Sequence, residues 1–294
     1  MSESIGTTLH LSRFPVKSMQ GESLSSLDVT VTGVLGDRAY AVVDAVTGKV
    51  LSGKTPRLGT RMLSCRAAFA APTTADGGLP PVRITLPDGG TVSSDAADAD
   101  ARLSRFFGTS VRLSTAAPDD FTIDETRPDL EDPDPAGPSD TVVEARLGGA
   151  FFAQVGMDSP LGPGSFLDLF PVSLLTTSTL GALRDHRPES RFDERRFRMN
   201  VVVDTPAPGF VENGWLTRAV RLGDTAEIVV ALPDPRCVMT TLGQDDLPAD
   251  RDVLRTIAQH NRLEVAGGQY PCAGVYAVVT VPGTVRLGDP VQLL

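Results

Sequence analysis

The chain has 294 residues, 41% hydrophobic and 22% charged, a composition that excludes a fibrous or wholly disordered protein and allows one large or two medium domains. No apolar run approaches the roughly 20 residues that cross a bilayer. The opening MSESIGTTLHLSRF lacks the charged-then-apolar layout of a secretory signal, so a cytoplasmic protein without membrane contact is expected. The formal net charge of −10 excludes broad nucleic-acid binding, which needs a basic face, but leaves room for a local anion site.

The first third reads as strands and turns. Residues 10–14 are a strand candidate, 27–31 (LDVTV) alternate with period two, and 39–43 follow the turn Gly36-Asp37-Arg38. Residues 81–86 and 111–113 continue the pattern with Gly and Pro between them. The stretch 96–107 predicts a short helix, acidic at its start and apolar at Leu103, Phe106 and Phe107. Residues 116–142 are crowded with Asp, Glu and Pro; they can bury little apolar surface and read as a linker or long surface loop between segments 1–115 and 143–294.

In the second segment, FLDLFP (166–171) is an apolar patch. Thr176, Thr177 and Ser178 offer capping chemistry to a helix over 178–185, and another helix is expected over 252–261. Strands are expected at 200–203, Ala219–Leu222, 226–232 and 276–281. The string VRLGD occurs at 220–224 and again at 285–289, each time as a strand entering a Gly-Asp turn. Many strands, turn punctuation and few helices point to a mainly β (α+β) protein built from β-barrels, not a doubly wound sheet.

Three cysteines with wide, irregular spacing make no disulfide framework, and the three histidines show no zinc-type interval. No GxSxG elbow is present, which argues against a serine hydrolase of that type. Cys237 stands in PDPRCVMTT (233–241), where two prolines hold the approach extended and Arg236 puts a cation beside the thiol. On this motif alone, Cys237 reads either as a soft ligand or nucleophile or as a small buried apolar residue. In SRFDERRFRMN (190–200), strand alternation would send Arg196, Arg198 and Asn200 to one side. That face suits a phosphate or a polar heterocycle, or else is a solvated strand edge balanced by Asp193 and Glu194. Lys17 and Ser18, after Phe14 and Pro15, could donate to an anion or be ordinary loop residues.

Together the stretches FPVKSMQGESL (14–24), GVLGDRAYAVVD (33–44), FLDLFPVSLLTTSTL (166–180), RFRMNVVV (196–203), PRCVMTTL (235–242) and GVYAVVTVPGTVRLGDPVQLL (274–294) resemble the MOSC family, in family order from end to end. The resemblance is to the two-part members that include the mitochondrial amidoxime-reducing component. It implies an N-terminal barrel-like domain over 1–115 and a MOSC barrel over 143–294. It also implies a molybdenum–molybdopterin cofactor, with Cys237 as the thiolate ligand of the metal. By the same resemblance Lys17, Ser18, Arg38, Arg198, Asn200, Arg236, Thr240 and Tyr276 bind that cofactor, and Arg236 keeps the thiol ionised. Two family runs are altered: the Arg-Gln-x-Pro of the first domain reads Gly53-Lys54-Thr55-Pro56, and Arg-Pro-Asn reads Arg198-Met199-Asn200.

The function so implied is reduction of small N-hydroxylated compounds. Asp168 would shape the substrate pocket, or merely cap a turn, and a separate electron-donor protein would be needed, since no cysteine spacing for an iron–sulfur cluster is present. Two rival expectations use the same residues: a sulfur carrier with a persulfide on Cys237, and a cofactor-binding protein without turnover.

Overall fold

Burial follows alternation along the strand Ser26–Thr30, where Leu27 and Val29 point inward and Ser26 and Asp28 outward. Val172–Thr176 is buried at every position, the polar Ser173 and Thr176 included, and Val201–Asp204 at all but Asp204, as for strands covered on both faces. The computed structural model describes residues 2–74, 78–118, 120–127, 141–154 and 156–294. Among them it is mostly strand, with five short α-helices. None of these helices is long and apolar enough to cross a membrane.

Seven strands close a barrel in the order Val172–Thr176, Val201–Asp204, Glu3–Arg13, Pro290–Leu293, Ala219–Leu222, Ala226–Pro235 and Gly268–Val281. The seam is sealed by Val172↔Ala277 and Leu174↔Val275. Every neighbouring pair is antiparallel except Val172–Thr176 with Val201–Asp204. A parallel pair needs a crossover, and the helix Thr177–His186 lies within it. Thr176 caps that helix by accepting from the Thr179 N–H at 3.1 Å. Leu11, Leu174, Val203, Ile228, Val275 and Leu293 meet in the barrel core, with Trp215 against them.

The first strand is thus a barrel strand, bonded to Val201–Asp204 on one side and Pro290–Leu293 on the other. The strand Ser26–Thr30 likewise pairs with Gly283–Arg286. The rest of the N-terminal part forms small sheets: Ala41–Asp44 with Val111–Ser114, and Arg66–Phe69, Val82–Thr85 and Thr91–Ser93 in sequence. The helix Ala99–Phe107 buries Leu103 and Phe107 in a second core with Val42, Met62 and Ile84.

Two departures from the sequence reading have clear causes. Within 116–142, Thr122–Arg127 is a strand paired with Thr141–Arg146; Ile123, fully buried opposite Ala145, anchors it beneath an otherwise acidic composition. Residues 119 and 128–140 of that segment lie outside the described residues. The strand expected at 276–281 is the end of the 14-residue strand Gly268–Val281, whose Pro271 and Gly274 suggest breaks. Gly274 marks a close approach instead. Its φ is +82°, and a Cβ there would stand 2.4 Å from the Leu174 carbonyl oxygen across the seam. The two VRLGD strings do run from strand into turn, and the turns meet where the Gly223 N–H donates to the Pro290 carbonyl at 2.9 Å.

Candidate functional site: a cation-lined cavity

A cavity of about 460 Å³ collects residues from both halves of the chain. The residues singled out in the sequence line it: Lys17, Ser18, Arg38, Asp168, Arg196, Arg198, Asn200, Arg236, Cys237, Thr240 and Tyr276. Their side chains do different things.

Lys17 follows Pro15 in a turn closed by its own N–H to the Tyr40 carbonyl at 2.8 Å and by Met19 N–H to Val16 carbonyl at 3.2 Å. It is only 3% exposed. Its Nζ donates to the Phe166 carbonyl at 2.8 Å and pairs with Asp168 Oδ1. Lys54, from the altered family run, stands 3.3 Å from Asp168 Oδ2 and 3.5 Å from Glu125. Burial lowers the Lys17 pKa, and Asp168 only partly offsets this. For Lys54 burial acts downward too, but Asp168, Cys237 and Glu125 together carry it well above the ordinary value. Asp168 feels an opposing burial effect, yet Lys17 and Lys54 hold it well below the usual carboxylate range. Asp168 thus pairs with both lysines, one on each carboxylate oxygen.

The expected alternation at 196–200 does not occur. Glu194–Arg196 is a 3₁₀ turn, Arg198 has φ +57°, and the strand starts only at Val201. A left-handed residue breaks the two-residue period, so each side chain is placed individually. Arg196, 1% exposed, donates to the carbonyls of Arg191, Thr240, Leu242 and Pro248. It stitches the Cys237 loop to the barrel. Arg198 donates to the Met19 carbonyl, and burial followed by the nearby Arg38 lowers its pKa to about 9. Asn200 accepts from Ser173 N–H and Oγ at 3.1 Å and donates to Asp37 Oδ2 at 2.9 Å and the Ser12 carbonyl at 3.4 Å. Its amide is saturated, so it braces the wall and has no spare group for a ligand.

Cys237 opens the 3₁₀ turn Val238–Thr241, whose first turn is closed by Thr240 N–H and Oγ1 donating to the Cys237 carbonyl at 3.1 and 3.0 Å. That is the role of the Thr240 hydroxyl. The thiol is half-buried, and burial raises its pKa; the main opposing charge is Lys54. Arg236 does not act as expected. Its guanidinium is engaged by the carbonyls of Ala273 and Phe197 at 2.9 Å, the Met199 sulfur at 3.0 Å and the Asp234 carboxylate. The charge of Lys54, held beside Asp168 and Glu125, is the cation that acts on the thiol. Asp234 is 2% exposed, and burial pushes its pKa up to about 6 against the pull of Arg236. Tyr276 stacks on Phe170 with ring centroids 5.7 Å apart, and burial raises its phenol well above the ordinary value. Cys272 is fully buried, its thiol pushed up to about 12 by burial, and is absent from the cavity wall.

Sequence reasoning did not foresee Glu125, Asp234, Phe170 or Ser173 in this wall. Only Asp234 carried a local signal, an acid three residues before the cysteine. Among the described residues no group of three or more His, Cys, Asp or Glu side chains is placed to hold a metal ion. A metal here needs donors beyond the protein's.

The model of the MOSC domain matches residues 163–292, and that of the MOSC N-terminal beta barrel domain residues 5–119. Over 99% of its length the chain is similar to mitochondrial amidoxime-reducing component 1, 23% identical to the Homo sapiens protein and 26% to that of Mus musculus, covering 84% and 83% of them. To mitochondrial amidoxime reducing component 2 of Bos taurus it is 30% identical over 43% of this chain and 38% of the relative. With its seven-strand barrel, its N-terminal β-rich part and matches that span nearly all of it, the chain belongs to the MOSC family, a MOSC domain preceded by the MOSC N-terminal β-barrel domain.

Proposed function

We propose that this protein binds a molybdenum–molybdopterin cofactor, with Cys237 as the metal's protein ligand, and reduces small N-hydroxylated compounds with electrons from a separate donor protein. The observation that carries the reading is a single half-buried thiol in the wall of a cavity whose cations outnumber its acids, inside a protein of net charge −10. A soft thiolate suits molybdenum, and one protein donor suffices where an organic dithiolene provides the others. The cations suit the phosphate of the pterin: Arg38 and Arg198 line the wall, and Lys17 pairs with Asp168 beside them. The residues present therefore fit the group.

Bound there, the cofactor would supply the two-electron chemistry that takes oxygen from an N–O bond. The chain's own part is electrostatic and steric. Lys54 favours the Cys237 thiolate against burial, so ligation becomes easier than in a neutral pocket of the same depth. The stacked Phe170 and Tyr276 give a flat apolar surface for the body of a substrate. Tyr276 keeps its proton at neutral pH and is a donor in the wall. Names of the full-length relatives, amidoxime-reducing components, support the substrate class.

Protein from a cofactor-competent host should contain close to one molybdenum per chain and reduce benzamidoxime with reduced viologen as donor. Cys237→Ala should lose both metal and reduction. Full activity in that variant refutes the reading.

A further inference from the structure

Arg38 and Arg198 share one wall of the cavity and carry like charges. Both guanidiniums pack on the same aromatic ring, that of Phe14, with their central carbons 4.5 and 4.4 Å from its centroid. The ring itself is pinned. Phe14 is 7% exposed, and a Cβ on Gly21 would lie 2.7 Å from its Cδ1. Its backbone is tied to the same turn: Phe14 N–H donates to Asp37 Oδ1 at 2.7 Å, and Arg38 N–H donates to the Phe14 carbonyl at 2.8 Å. Asp37 also pairs with the Arg38 guanidinium, and Arg38 Nη2 donates to the Arg198 carbonyl at 3.1 Å.

Ser18, Arg38 and Arg198 all hold left-handed backbones, with φ of 64°, 48° and 57°. Non-glycine residues stay there only when their surroundings over-determine them, and such positions cluster at ligand clamps. Two desolvated like charges side by side are also unfavourable, which is why Arg198 titrates low. The Asp37 carboxylate pairs with Arg38, and the Phe14 π face lies next to both guanidiniums and eases their repulsion without neutralising either.

We propose that Phe14 is a positioning residue of an anion site: its ring holds Arg38 and Arg198 desolvated and in place before a phosphate group arrives. Phe14 is not part of the cavity wall and acts through the two arginines. The identity of the anion as the cofactor's phosphate rests on the function proposed above; the ring's action on the arginines does not.

The test uses metal-free protein and inorganic phosphate, with binding read by calorimetry and by the rise in melting temperature. Phe14→Leu and the volume-filling Phe14→Met should bind phosphate about tenfold more weakly, while Phe14→Tyr, which keeps the ring, should stay within about twofold of wild type. Molybdenum content after expression in a cofactor-competent host should fall in the same order. Unchanged phosphate affinity in the Leu and Met variants overturns the proposal, as does an equal loss in the Tyr variant. If Leu and Met both fail to fold while Tyr folds, the ring is structural and the proposal is likewise overturned. Wild-type protein that ignores phosphate yet carries molybdenum sinks this inference alone; wild type that binds phosphate but carries no molybdenum sinks the cofactor reading alone.

Discussion

Replacing Asp168 by Asn keeps the shape of the side chain and removes one charge from between two ammonium groups. Oδ1 pairs with Lys17, Oδ2 lies 3.3 Å from Lys54, and the lysine side chains are 4% and 13% exposed. In the variant, Glu125 at 3.5 Å from Lys54 is the one remaining counter-charge that pairs with either lysine among the described residues. Breaking a buried pair by removing one partner costs roughly 3–5 kcal/mol. Asp168 is 33% exposed to the cavity, so solvent screening reduces the expected loss to about 2 kcal/mol.

The pH dependence is more diagnostic. A lysine whose folded pKa is depressed binds fewer protons folded than unfolded, so stability rises with pH between the folded pKa and the ordinary value near 10.4. Lys17 is already depressed by burial, and losing Asp168 deepens the depression. The variant should therefore regain stability as pH rises from its lowered Lys17 pKa towards about pH 10, with a slope up to about 1.4 kcal/mol per pH unit for one proton, where wild type gains less. Urea unfolding of metal-free protein reads this through Trp215, the sole tryptophan, packed on the barrel core at 5% exposure. Parallel pH profiles for variant and wild type would refute the charge triad as drawn.

Two further outcomes test the barrel itself. Glu212 is fully buried, accepts from Thr176 Oγ1 at 2.7 Å, leaves Oε1 unpartnered, and has its pKa raised by burial. A raised carboxyl supports folding fully below its unfolded pKa and loses that support as pH rises, so Glu212→Gln should be about 1–2 kcal/mol more stable than wild type near pH 8 and converge with it near pH 4; equal pH profiles in urea denaturation speak against this. Gly274→Ala forces a side chain into the seam at positive φ and should cost more than about 3 kcal/mol, checked by the same titration, and a loss below about 1 kcal/mol would mean the seam can yield.

Strand content and the barrel class were readable because alternation in LDVTV and buried runs such as Asn200-Val201-Val202-Val203 are local properties of the chain. Cys237, Lys17 and Arg38 were readable because short motifs fix them relative to their neighbours. Lys54 was visible only as a departure from a family run, with nothing nearby to name Asp168 as its partner 114 positions later. Glu125 was hidden inside a segment whose composition resembles a linker, which the buried Phe121 and Ile123 anchor to the core.

Residue types and local patterns, then, settled on their own that this is a β-rich protein with one cysteine set among cations. Which cation acts on that cysteine was settled by folding. Arg236 is adjacent in sequence, yet its donors are taken up by two carbonyls, a sulfur and Asp234, while the opposing charge comes from Lys54 in the other half of the chain. Asn200 and Arg196 were likewise diverted to bracing the wall. A side chain's chemistry is written in its type, but its free valences are what remains after the surrounding backbone has claimed its hydrogen bonds, and only three-dimensional packing makes those claims.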